Sequence, residues 1–151
     1  MVGLTKKLLL VLAVIAGAFG LGIGVSYWQQ QQLEALDFEH CQQLHNGRCE
    51  WQVDEQTWKL TLPSDQLPAM LSQHLELITN QENPPSLELR LQGIEMYMGE
   101  IKLLLEPNEH GHYQSDILLP ICNTGKMRWR AEIVSLDPTQ PVALSFEVDS
   151  Q

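Results

Sequence analysis

The pattern of apolar and polar positions divides the chain into three parts. The first is an uncharged run, LLLVLAVIAGAFGLGIGV, over residues 8–25, with the next charge only at Glu34. At about 1.5 Å per residue, a helix over 8–28 spans about 30 Å, the thickness of a hydrocarbon core. The pattern predicts one N-terminal transmembrane helix, residues 1–28, with Tyr27 and Trp28 at the interface. Residues 29–48 are polar and read as a stalk. From 49 to 151 the dominant period is two.

That period predicts short strands separated by turns. Residues 50–54 and 57–62 form a hairpin around Glu55-Gln56. Leu71, Gln73, Leu75 and Leu77 alternate with Ser72, His74, Glu76 and Ile78. Pro84-Pro85 makes residues 80–86 a loop. Leu87, Leu89 and Leu91 form one face of a strand, and Ile101, Leu103 and Leu105 another. Residues 107–111 are a turn, followed by a strand over 113–121. Met127, Trp129, Ala131 and Ile133 alternate with Arg128, Arg130 and Glu132. After a turn at Asp137-Pro138, Val142, Leu144, Phe146 and Val148 close the domain. About eight evenly spaced strands without an amphipathic helix predict an all-β fold, an antiparallel immunoglobulin-like β-sandwich.

Charge adds orientation. The formal net charge is −10, from 9 Lys and Arg against 19 Asp and Glu. Two of the nine, Lys6 and Lys7, precede the apolar run, so the remainder carries 7 − 19 = −12. They place the N-terminus in the cytoplasm and the domain outside. An acidic body argues against nucleic-acid binding, where basic patches supply affinity. The rival to an anchor is a cleaved signal peptide with Ala16-Gly17-Ala18 as its site, but the apolar run continues to Val25, which favours retention. Ala16, Gly20 and Gly24 recur every four residues, a stripe suited to packing on another helix.

The candidate chemistry is sulfur. Cys41 and Cys49 flank the turn signal Asn46-Gly47, a spacing that brings two cysteines within disulfide reach outside the membrane. A Cys49–Cys122 bridge is the alternative. Met96 and Met98, two apart on an extended segment, point to the same side before Gly99. Cys122 and Met127 flank Asn123-Thr124-Gly125-Lys126, a hairpin-like turn. Soft thiolate and thioether donors select Cu(I), and Met96, Met98, Cys122 and Met127 are the predicted ligands. The competing reading is that the methionines and the cysteine fill the core. His110 and His112 add nitrogen donors if their turn lies at the same end. His40 and His45 read as solvated stalk residues.

The pattern MxMG followed by LPxCxTGxMxW is carried by Met96, Met98, Gly99, Leu119, Pro120, Cys122, Thr124, Gly125, Met127 and Trp129. It resembles a family of small membrane-anchored bacterial proteins of unassigned function, found with Sco-type copper-oxidase assembly factors. Cys41, Cys49 and Trp51 are similar to that family's stalk pair. More distantly the layout resembles FixH-like and YtkA-like domains. The resemblance implies a single-pass inner-membrane protein with a periplasmic domain, a role in copper handling, and a respiratory oxidase or its assembly factors as partner. It brings no enzymatic activity.

The sequence contains no G-x-S-x-G, H-E-x-x-H, phosphate loop or C-x-x-C. Three functions are therefore weighed: a Cu(I)-binding accessory factor, a metal-free interaction module, and a thiol oxidoreductase. The last requires Cys122 beside Cys41 or Cys49.

Overall fold

The computed structural model describes residues 38–41, 44–121 and 125–151. The chain divides into Met1–Asp37 and Phe38–Gln151, and every described residue belongs to the second unit. The predicted anchor and most of the predicted stalk lie outside the described residues. Among the described residues no helix is long and apolar enough to cross a membrane. Residues 38–41 and 44–48, expected as stalk, belong to the compact unit, which begins at Phe38 rather than at 49.

Ten strands build the unit: β1 Glu39–Cys41, β2 Arg48–Val53, β3 Gln56–Thr61, β4 Gln66–Leu67, β5 Ser72–Thr79, β6 Leu87–Gly93, β7 Glu100–Leu105, β8 His112–Leu118, β9 Met127–Ser135 and β10 Ala143–Ser150. One sheet has the order β1-β10-β9-β6-β7, with β4 also on β10; the other has the order β2-β3-β5-β8. The fold is all-β in two sheets. Most pairings are antiparallel, but β1 and β4 both run parallel to β10, against the fully antiparallel expectation. Their three and two residues are too short to show a period.

The alternation that predicted the strands is the burial pattern. Along β9, Met127, Trp129, Ala131 and Ile133 are buried, and Arg128, Arg130 and Glu132 are not. Leu87, Leu89 and Leu91 of β6 and Leu75 and Leu77 of β5 are fully buried. Side chains of both sheets meet in one core, where Trp51 of β2 lies 6.3 Å from Phe146 of β10, centroid to centroid. The β2–β3 turn falls at Asp54-Glu55, one residue earlier than expected. Asp54 takes the left-handed φ of +54°, which aspartate tolerates.

A disulfide joins Cys41 to Cys49, with Cα atoms 6.3 Å apart. It ties edge strand β1 of one sheet to edge strand β2 of the other. Beside it, His40 Nδ1 is 2.8 Å from Ser145 Oγ of β10.

The strand directions define two ends. β6 ends at Gly93 and β9 starts at Met127 at one of them, the methionine end. There too, the backbone N–H of Met70 donates to the Leu119 carbonyl, just past the end of β8. β7 runs away from it, so the turn at 107–111 lies at the opposite end. β1 starts opposite Leu144, near the beginning of β10, so its first residue lies toward that opposite end.

Candidate functional site

The site is built on the loop 94–99 between β6 and β7. Ladder pairing of β6 with β9 stops at Gly93, opposite Trp129. A Cβ on Gly93 would overlap the Met127 methyl and the Met96 carbonyl. Only a glycine lets the loop turn back over Met127 here. Two hydrogen bonds then hold the loop to the start of β9. The Ile94 N–H donates to the Arg128 carbonyl at 2.9 Å, and the Arg128 N–H donates to Glu95 Oε2 at 2.8 Å. Gly99, at φ +90°, turns the backbone into β7.

Met96 and Met98 therefore sit in a loop and not on a strand as expected, because Glu95 takes the Arg128 amide that a longer β6 would have used. Both are exposed, Met96 at 51% and Met98 at 42%. Met127 is 4% exposed and faces the core under that loop. Cys122 lies outside the described residues. The structure thus brings Met127 and the Met96 backbone together against Gly93, and leaves the Met96 and Met98 side chains at the surface. β8, which precedes Cys122, lies in one sheet and β9, which follows it, in the other.

The floor of the site is fixed from β10. Trp129 Nε1 donates to Ser150 Oγ at 3.1 Å, and the Ser150 hydroxyl donates to the Met127 carbonyl at 3.2 Å. Both residues are buried. On the outer face, Arg128 Nε donates to Asp149 Oδ1 at 3.2 Å, and a terminal nitrogen lies 3.9 Å from Glu147. The Asp149 hydrogen bond and charge raise the Arg128 pKa above its ordinary value. An open depression of about 220 Å³ lies beside these groups, lined by Gln66, Glu95, Lys126, Met127, Arg128, Asp149, Ser150 and Gln151.

The methionine end has a second property that the pattern did not reveal. Of the ten exposed large apolar side chains among the described residues, eight lie there: Met70, Leu71, Ile94, Met96, Tyr97, Met98, Leu118 and Ile121. Leu104 and Leu136 are the exceptions. Leu71 and Ile121 were read as strand positions, but they fall just outside β5 and β8 and are 59% and 61% exposed. Met70 also holds a left-handed φ of +62°, strained for a side chain of this size. Backbone strain of this kind concentrates at functional sites.

The histidines do not join the sulfurs. His110 and His112 flank Gly111 at the opposite end, their rings 6.5 Å apart, and His112 Nδ1 is 3.9 Å from Glu76. No group of three or more His, Cys, Asp or Glu side chains placed to hold a metal occurs among the described residues. The donors for a metal here are the thioethers. Met96 and Met98 are exposed and Met127 is buried, and thioether donors as a class fit Cu(I) better than a harder ion.

Compared with known proteins, the chain matches no family model, no curated protein and no solved structure.

Proposed function

We propose that this chain is a non-catalytic, membrane-anchored accessory factor that takes up Cu(I) at its methionine end. The supporting observation is that two thioethers, Met96 and Met98, are held exposed on a loop hydrogen-bonded to the strand that carries Met127. Thioether donors suit Cu(I) and bind zinc or magnesium poorly. Met127 and Cys122 complete the proposed set, Cys122 from the segment that enters the same strand. With Cys41 and Cys49 joined to each other, Cys122 is the remaining cysteine, which leaves its sulfur available as a ligand. Under this reading the chain belongs to the immunoglobulin-like class of sandwiches, with its disulfide at the sheet edges rather than at the centre of the core. The N-terminal segment holds it on the outer face of a bacterial inner membrane. Its recipient is a respiratory oxidase or a factor that assembles one, as the resemblance of the MxMG and LPxCxTGxMxW motifs suggests.

The test is an anaerobic Cu(I) titration of the full chain in detergent against a competing colorimetric chelator. The expected result is one equivalent bound, with at least a hundredfold loss in the Met96→Leu/Met98→Leu/Cys122→Ala variant, about the effect of removing most of a ligand set. Equal affinity in the two proteins contradicts the proposal.

A second reading is a metal-free interaction module, favoured by the eight exposed apolar side chains at one end. Exposed apolar patches of this kind mark contact surfaces. Under this reading the methionines are contact residues. A membrane partner is then captured equally well with and without copper, and is lost on Tyr97→Asp/Ile121→Asp.

A further inference from the structure

Resting on the Cu(I) reading, we infer that Glu95 is the positioning residue of the copper site. Glu95 directly precedes Met96, and its carboxylate accepts the backbone N–H of Arg128 at 2.8 Å. Arg128 directly follows Met127. One side chain thus spans the two segments that bear the thioethers, at the residue next to each. The Arg128 guanidinium hydrogen-bonds Asp149 at 3.2 Å and lies 3.9 Å from Glu147, so its closest carboxylates are those of β10. The backbone bond from the Ile94 N–H to the Arg128 carbonyl lies before Glu95, so removing the carboxylate loosens residues 96–98 about that position.

Metal sites gain affinity when groups behind the ligands fix their position before the ion arrives. Glu95 does this without touching the metal. It holds the Met96 backbone against Gly93 and over Met127. The loop is exposed and carries no core side chain, so its fixation does little for the fold itself.

The experiment compares Glu95→Ala and Glu95→Gln with the parent chain in the same anaerobic Cu(I) titration. Amide hydrogen exchange at Arg128 is followed in the metal-free protein. The alanine variant is expected to bind Cu(I) about tenfold more weakly or worse. Its Arg128 amide should exchange faster, with unchanged circular dichroism. The glutamine variant keeps an acceptor oxygen at the same reach and is expected to restore both quantities to near the parent values. An alanine variant with parental affinity overturns this inference and leaves the copper reading standing. So does a glutamine variant as weak as alanine, which would mean that the charge and not the hydrogen bond matters. A parent chain that fails to hold Cu(I) overturns both.

Discussion

The two ends of the domain are finished in opposite ways. At the end carrying residues 107–111, polar side chains close the turns. Asn108 Oδ1 accepts the N–H groups of His110 and His112, Asn80 Oδ1 accepts that of Thr57, and Asp137 Oδ1 accepts that of Thr139. The Tyr113 hydroxyl, pushed to a higher pKa by burial, donates to the Pro85 carbonyl from inside the core. At the methionine end, Asp65 accepts the Asn46 and Gly47 amides and Ser64 Oγ that of Gln66, among eight exposed apolar side chains. Buried or half-buried backbone groups must find partners, and the first end meets that demand with side chains evolved for turns. The second meets it with backbone bonds and with Asp65, Ser64 and Glu95, and beside them leaves sulfur and apolar side chains exposed.

The comparison can be broken by mutation, and the largest effects should fall in the core and on the stapled edge. Leu89→Ala, fully buried in β6, is expected to cost about 2–5 kcal/mol of unfolding free energy in a denaturant titration. Replacing both Cys41 and Cys49 by serine should cost about 2–3 kcal/mol, the loop-closure value for so small a ring. Tyr113→Phe strands the Pro85 carbonyl and should cost about 1–3 kcal/mol. At the other end, Met96→Leu/Met98→Leu should change stability by less than about 0.5 kcal/mol, as exposed positions do. A cost there as large as that of Leu89→Ala would make the loop structural and erase the contrast.

The smallest effect is one of pH. The Thr139 hydroxyl and backbone N–H hold the Asp137 carboxylate below its ordinary value of 3.8. A carboxylate with a lowered folded pKa contributes stability that is complete above its unfolded value and disappears as pH falls through the folded one. Stability measured from pH 5 downward should therefore fall less steeply in Asp137→Asn than in the parent chain. An identical slope would contradict this account of the turn.

How much of this was legible in the sequence depended on length and periodicity. β6, β7, β9 and β10 were readable because their leucines, isoleucines and aromatics alternate over six or more residues. β1 and β4 were not, since pairing with β10, and not a pattern of their own, makes them strands. The Cys41–Cys49 bridge followed from spacing around Asn46-Gly47, but its role in joining the two sheets could not, because sheet membership is a long-range property. Met96 and Met98 stood out in the sequence as two thioethers two positions apart. Their loop conformation was hidden because it depends on Gly93 meeting Met127, a contact across 34 residues. Met127 reads alike as ligand or core residue in the alternation of β9, and its burial beneath the loop comes only from the packing. The gathering of Leu71, Leu118 and Ile121 beside the methionines was equally invisible, since each looked like an ordinary strand position.

The most direct measurement follows the methionine methyl resonances of the full chain as Cu(I) is added under anaerobic conditions. Met70 serves as an internal control, because it is exposed at the same end but lies outside the proposed set. The account predicts that the Met96 and Met98 methyls shift and saturate at one equivalent, with Met127 following and Met70 unmoved. Uniform broadening of every exposed methionine, or no shift at Met96 and Met98, would contradict it.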